Sequence, residues 1–530
     1  MKNIKKCIAL LLLAVLVVMT TACSSDKKEE PKATVVPAVT VAPVTDTQAP
    51  AASSKVGATE TSISYKYASQ GDVAFFKGKN GEIGLVDRND TILIQPQFSN
   101  VEPFIGDFAI VMGYTGKYNS DERKGLINRN GDIILRPKYN EIHPFVNGYA
   151  IIEIYEGKDR FNYIDLEGNI LLENWVETAN NFQDSRALVS RNGKYFFIDE
   201  NGKSIIGSFE EARDFSDGLA AVRNKAFWGY INKDGKVVIN FQFDDADMFS
   251  CGLAAVVNNN RLSYIDKTGK TVIKSNVFEN ISSWRPIRNG SYRFLDNIVL
   301  AELSNGNYAF IDKTGTILVN IAYYGDIYKW RSSFSEGLMP VCVGKNTLKV
   351  QTSYIDTNGQ VKIIVEKNVD SVHGTCLGQF SEGLAPIDFK YNSPYDNSVG
   401  YINKKGEKVI SEQFSWAAPF YNGVACVQKV ESSRNGITVN TSAYGYINKT
   451  GELISDYQWE NAWNFSYGRG LVYKNNYYGF IDDEGKIVIP LQYYSAERFV
   501  NGYAKVKYNS YRDPYTYINT DGEIIAGYVP

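Results

Sequence analysis

Hydrophobic positions in this chain change period every few residues and then begin the same cycle again. In the stretch from Trp228 to Val256, Gly229-Tyr230-Ile231 and Val237-Val238-Ile239 are short aromatic and β-branched runs, the composition of strands. Between them stands Asn232-Lys233-Asp234-Gly235. An Asn or Asp that opens a turn, with Gly three residues later to take a positive φ, suits a type I turn closed by a G1 bulge, so the pair predicts a β-hairpin. Phe243-x-x-Ala246-x-x-Phe249-x-x-Gly252 follows with a period of three, which fits neither a clean strand nor a long helix. It predicts a helical turn or a bulged edge strand that drives two aromatics into a core. Leu253-Ala254-Ala255-Val256 then predicts a third short strand leading into the next unit.

The turn residue counts the units: Asp87, Asn128, Asp165, Asp199, Asn232, Asp266, Asp312, Asp356, Asn403, Asn448, Asp482 and Asn519, at spacings of 33 to 47 residues. Gly stands three residues after each one except Asp87, where Asp90 takes the place and Asp tolerates the left-handed region. A repeating unit of this length means a solenoid, a propeller or a similar array. The fold expected is all-β, a tandem array of about twelve short antiparallel β-meander repeats over residues 63–530, β-propeller-like, with an open β-solenoid or superhelix as the alternative. Val73-Ala74-Phe75-Phe76 near the start resembles a third strand, and the hairpin ending at Glu523-Ile524-Ile525 lacks one. That offset suggests a ring whose ends complement each other; twelve units exceed the usual blade number of about four to eight, so paired rings or an open superhelix stay open.

The pattern resembles the WG (or KWG) repeat found in tandem in bacterial proteins. The literal pair occurs at Trp228-Gly229; Lys124-Gly125, Val399-Gly400, Tyr444-Gly445 and Tyr478-Gly479 stand in its place elsewhere. The resemblance covers roughly residues 70–526 and implies an all-β repeat scaffold with no transferable catalytic residues.

Lys2, Lys5 and Lys6 precede an apolar run from Ile8 to Val18 and then Met19-Thr20-Thr21-Ala22-Cys23-Ser24-Ser25. A basic segment, a short apolar core and small residues before a cut describe a secretory signal peptide over residues 1–22. The small residues before Cys23 resemble the lipobox of bacterial lipoproteins, which would make Cys23 a lipidated N-terminus. From there to residue 62 the chain holds Lys, Glu, Pro, Ala, Val, Thr and Ser with no aromatic and no period, a disordered tether. A tether of this length spans roughly 35 Å when relaxed. The expected location is the extracytoplasmic face of the cell membrane, or the outer membrane in a two-membrane cell.

Charge and chemistry narrow the function mainly by exclusion. Without Lys2, Lys5 and Lys6, 53 basic residues face 59 acidic ones, a mildly acidic balance that argues against nucleic acid. Cys251, Cys342 and Cys426 sit in or beside the small apolar strands, and the cysteines show no CxxC or disulfide-framework spacing. His143 and His373 are the only histidines, and no motif joins either to a nucleophile. HExxH, P-loop and GxSxG patterns are absent, and turn geometry explains the Asp-rich segments better than calcium does. No cofactor and no metal is expected.

The candidate binding residues are aromatic. Trp284, Trp330, Phe249, Phe420, Phe465 and Phe499 fill the second aromatic slot of the period-three segment, a core position. Trp416 and Trp463 fall between the slots, where lateral packing between repeats competes with an exposed stacking platform. Between Asp266 and Asn448 the spacing widens to 44–47 residues, and Tyr292, Tyr391 and Tyr395 lie in the extra segments. The function expected is a non-enzymatic, lipid-anchored binding protein that presents its repeats to a cell-wall glycan or a surface protein. The alternative is a cell-wall hydrolase or wall sensor with an unrecognised site.

Overall fold

Every hairpin forms where its turn residue places it, and each Leu-Ala-Ala-Val segment pairs with the hairpin that follows it. The computed structural model describes residues 63–114, 121–278, 292–303, 308–321, 334–343, 350–369, 378–388, 399–430 and 442–530. Around Trp228 the short strand Glu211–Ala212 pairs with Leu219–Asn224, that strand with Phe227–Asn232, and the last with Val237–Phe243, all antiparallel. This order recurs in eleven hydrogen-bonded sheets, of which the six-stranded one is two blades joined by a single bridge between Ile321 and Val343. The molecule is therefore an all-β ring of twelve small sheets, β-propeller-like, with Trp228 in the fifth blade. Among the described residues the only helical element is the 3-10 turn Ser275–Val277.

The period-three segment is extended, not helical. Asp245–Ala246 opens it as a two-residue strand, and Ser250 and Leu253 exchange backbone hydrogen bonds across the turn Cys251-Gly252. Both turn residues have positive φ, 54° and 87°, as a two-residue type I′ hairpin demands. The period of three arises because this segment leaves one blade's outer strand and starts the next blade's edge.

The Asn or Asp turns are as the sequence predicts. Gly235 N–H donates to the Asn232 carbonyl at 2.9 Å, and the Asn232 side-chain oxygen accepts from the N–H groups of Asp234 and Lys236. Asp90, which replaces the glycine in the first unit, sits at φ 61°. The second glycine of the unit has another cause. A Cβ on Gly229 would lie 2.8 Å from the Ile239 carbonyl, because the outer strand bulges across this position.

The core is divided among the interfaces between blades. Leu219, Ala221, Trp228, Tyr230, Ile239 and Phe243 of blade 5 pack on Ala246, Phe249, Ala254, Val256 and Ile265 of blade 6. Equivalent clusters join each successive pair, and one spans Tyr517, Ile525 and Ala526 of the last blade, Tyr67 and Phe75 of the first, and Phe104 of the second. The ring is thus closed by contact of its ends. No strand is exchanged at the seam: Ile63–Lys66 completes the first blade, and Tyr503–Lys507 supplies the strand that the last hairpin lacks when the unit is read from its turn. Ala68 N–H donates to the Ile524 carbonyl, Gln70 Nε2 to the Ile525 carbonyl and Tyr67 Oη to the Gly527 carbonyl, each at 2.9 Å.

A second set of bonds repeats from blade to blade. The buried tyrosine of the Gly-Tyr-Ile strand donates its hydroxyl to a carbonyl at the edge of the following blade: Tyr163 to Asn180, Tyr230 to Asp247, Tyr264 to Tyr292, Tyr354 to Gly378, Tyr401 to Ala418 and Tyr446 to Trp463, at 2.6–2.8 Å. The same ring lies against the following blade's phenylalanine, as Tyr401 does on Phe420 with centroids 4.9 Å apart. Replacing Tyr401 by Phe keeps that contact and leaves the buried Ala418 carbonyl without its donor. The expected cost is about 1–2 kcal/mol, read as a lower denaturant midpoint, whereas Tyr477→Phe on the surface should leave the midpoint unchanged.

Candidate binding face

Strand direction gives the ring two unlike faces. Each long strand of the Leu-Ala-Ala-Val type runs away from the type I′ turn, the next strand returns to the Asn or Asp turn, and the outer strand runs away again. One face, the Asx face, therefore collects all the Asn or Asp turns and the type I′ turns. The opposite face, the loop face, collects the remaining connections. The strand ends Tyr114 and Glu122, Glu302 and Tyr308, Val343 and Gln351, Asp388 and Val399, and Val430 and Ser442 pair at the loop face, and the chain also enters Ile63 and leaves Gly527 there.

The Asx face is closely tied. Carboxylates of Asp184, Asp217, Glu336 and Glu382 accept from the N–H groups of Gly218, Gly252, Gly383 and Gly423 in the next blade, at 2.7–3.3 Å. Ser250, Ser381 and Ser466 donate their hydroxyls to the carbonyls of Phe294, Phe420 and Phe499. These polar groups are occupied in holding blades together.

The loop face carries the exposed aromatics. Eleven aromatic side chains are exposed among the described residues, and nine of them (Tyr114, Tyr155, Phe227, Trp416, Tyr477, Tyr494, Tyr511, Tyr515 and Tyr528) belong to this face. Six of the nine fall on blades 10 to 12. There Trp416 meets Tyr444 at 6.3 Å between centroids, Trp463 meets Tyr478 at 5.8 Å, Tyr473 meets Tyr478 at 4.8 Å and Tyr493 meets Tyr508 at 5.0 Å. Trp416 and Trp463 are thus on adjacent blades of one face but not in contact, each paired with a tyrosine of its own blade.

Their environments differ. Trp416 is 44% exposed at the start of its edge strand. Trp463 is half-buried against the cluster between blades 11 and 12, and its carbonyl accepts the Tyr446 hydroxyl. Tyr292 occupies the same register position in blade 7; it is half-buried against the cluster shared with blade 6 and accepts from Tyr264. Tyr391, Tyr395, Trp284, Trp330, His373, Cys376 and Cys23 lie outside the described residues, although Asp388 and Val399, which flank Tyr391 and Tyr395, pair at the loop face.

The position held by Trp463 is a variable slot two residues before each core phenylalanine. Glu102, His143, Asn180, Arg213, Asp247, Gly378, Ala418 and Glu497 fill it in other blades, and Tyr67 in the first, where Ser69 replaces the phenylalanine; each N–H is bound to the neighbouring strand. In blades 5 to 7 the slot is a buried ion network: Asp247 accepts from Arg213 at 3.1 Å and from Arg293 at 2.6 Å, and Arg213 lies 4.9 Å above the Trp228 ring. Every charge there has a partner, so the network reads as structure. His143 is half-exposed, 4.0 Å from the Glu153 carboxylate. Cys426 is fully buried, and burial pushes its thiol pKa up, which makes it inert. The slot was legible in the sequence from its fixed offset to the phenylalanine.

Seven segments match the WG containing repeat. They are residues 83–118, 125–158, 195–225, 228–261, 400–429, 444–478 and 478–511. Each WG containing repeat begins near the strand that follows the loop-face turn and runs into the next blade, so one repeat is the hairpin of one blade plus the edge strand and the long second strand of its neighbour. No curated protein matches the chain. Among solved structures, a eukaryotic initiation factor shares 11% identity over 73% of this chain and 95% of its own, at a TM-score of 0.29. PorZ, described as a surface component of the type-IX secretion system of Porphyromonas gingivalis, shares 11% identity over 89% of this chain and 76% of its own, at 0.21. The extracellular domain of the putative hybrid two-component system BT3049 of B. thetaiotaomicron shares 11% identity over 84% and 68%, at 0.21.

Two expectations follow for the WG containing repeats. Trp463→Ala empties part of an interface and should cost about 2–4 kcal/mol, whereas Trp416→Ala should leave the melting temperature within a degree or two. Glu102 has its carboxyl pKa raised, first by burial, against the opposing pull of Lys124 and Lys505. A raised carboxyl pKa means that ionisation opposes folding above the unfolded value. Glu102→Gln should therefore stabilise the ring at neutral pH, with the gain shrinking as pH falls below the raised folded value and gone below the unfolded value of about 4.3, measured as denaturation midpoint against pH.

Proposed function

We propose that this protein is a non-enzymatic binding protein, lipid-anchored through Cys23 on the extracytoplasmic side of the membrane, whose ring presents its loop face to a cell-wall glycan. The observation that carries the reading is the gathering of exposed Trp and Tyr on the loop face of blades 10 to 12. Flat aromatic faces flanked by hydroxyls stack on sugar rings and lose little entropy in doing so. A protein ligand on the wall or cell surface would use the same side chains as hot spots. The repeat scaffold fits a binding role, since a ring of similar blades offers a broad surface that is already ordered before the ligand arrives.

The anchor follows from the residues before and after Cys23, and the polar stretch up to residue 62 supplies the reach. The chain enters the ring at Ile63 on the face that carries the aromatic patch.

Cys23→Ala should move the protein from the membrane fraction to the soluble fraction or block its maturation. Full-length protein should pellet with purified cell wall, and Trp416→Ala should weaken that association several-fold. Retention of the Cys23 variant in the membrane would count against the anchor. Release of soluble sugar or peptide from the wall by wild type would replace binding with hydrolysis.

A further inference from the structure

The connection between the two central strands of blade 12, Tyr508 to Tyr515, is folded onto itself. The Asp513 carboxylate accepts from the N–H of Asn509 at 2.7 Å, from the N–H of Ser510 at 3.1 Å and from the Ser510 hydroxyl at 2.8 Å. Lys507 Nζ donates to the Tyr511 carbonyl at 2.6 Å. The loop is thus held in shape by its only carboxylate, whose pKa is lowered first by the Asn509 N–H and the Ser510 donors and last by the nearby charge of Lys507.

What this frame displays is aromatic and cationic. Tyr511 is 65% exposed and Tyr515 41% exposed. The Arg512 guanidinium lies 5.3 Å from the Tyr511 ring centre and donates to its hydroxyl at 2.8 Å. Lys507 lies 4.5 Å and Lys505 5.7 Å from the Tyr515 ring centre. Neither Lys507 nor Arg512 takes part in an ion pair among the described residues.

We infer that the blade 12 loop is a subsite for an acidic sugar polymer, one that bears carboxylate or phosphate along its chain. This rests on the binding role proposed above and narrows its ligand. Tyr511 and Tyr515 supply faces for the sugar rings, while Arg512 and Lys507 meet the negative groups. A cation already seated beside an aromatic ring is partly stripped of water and fixed in place, so pairing with an anion there costs less ordering than it does on a free side chain. A neutral glycan would leave both cations unused, and a basic ligand would meet repulsion.

The test uses full-length protein, purified in detergent and immobilised, with polygalacturonate as acidic polymer, dextran as neutral polymer and phosphatidylglycerol vesicles as a lipid surface. Polygalacturonate should bind at least tenfold more tightly than dextran, and raising salt from 50 to 500 mM should erase most of that difference. Arg512→Gln should lower polygalacturonate affinity about tenfold with no change in melting temperature or in dextran binding. Tyr511→Ala with Tyr515→Ala should weaken both polymers. Equal binding of the two polymers, unaffected by Arg512→Gln, would overturn the acidic preference and leave a glycan-binding role standing. Binding to neither polymer, with wall association intact, would overturn this subsite and point the ring to a protein. Capture of the vesicles alone would assign the cations to a lipid surface instead.

Discussion

A hydroxyl buried between two blades sets the terms for the rest of this ring. Wherever an edge strand is described after the first blade it is only two residues long, and its continuation leads toward the core phenylalanine. An unpaired buried carbonyl costs more than an average hydrogen bond returns, so a donor that reaches this edge stabilises the interface beyond what apolar contact supplies. The Gly-Tyr-Ile tyrosine brings that donor from the preceding blade, at the end of a ring that also fills the interface. Blades with Phe197 or Phe480 at this position keep only the ring contact, against Phe215 and Phe499. At the seam Tyr67 and Gln70 assume the role with different geometry.

Twelve blades around one axis turn by only about 30° from each to the next, less than in the usual rings of about four to eight. Neighbouring sheets therefore face each other almost squarely, and close approach along their whole length favours small side chains where two sheets meet. Ala220, Ala221, Ala254, Ala255, Ala425 and Ala504 are all buried at such places. The two faces then diverge in what they tolerate. On the Asx face the turns themselves carry bonds from blade to blade, so an added residue would break a link. The variation in turn-to-turn length falls between strands on the loop side, where loop closure tolerates added residues.

What could be read from the residues alone was whatever rests on neighbours in the chain. The Asn232 turn, the hairpin it closes and the inward direction of Phe249 follow from a few consecutive side chains. Pairing was harder to read. Leu253-Ala254-Ala255-Val256 is equally able to pair with the hairpin before it or after it, and the choice is made by packing. The type I′ turns were visible as Asn147-Gly148, Asp217-Gly218, Asn422-Gly423 and Asn501-Gly502, yet the period-three spacing of the aromatics fits a helical turn as well as the edge strand that forms. Trp416 and Trp463 stood out because they break the period, but exposure separates them only once the interface is built. The blade 12 loop gave no warning, since the turn-to-turn spacing there, from Asp482 to Asn519, is an ordinary 37 residues.

The seam has a topological consequence. Ile63 and Gly527 leave the ring on the same face and from adjacent blades, and each blade is a continuous piece of chain with no borrowed strand. The order of the sequence around the circle is then nearly arbitrary. Joining the ends by a short linker and opening any other loop-face turn would give a permuted chain with the same interfaces between blades. Chain ends that emerge side by side also let the whole ring sit as an insert in a larger polypeptide without a strand passing through its centre.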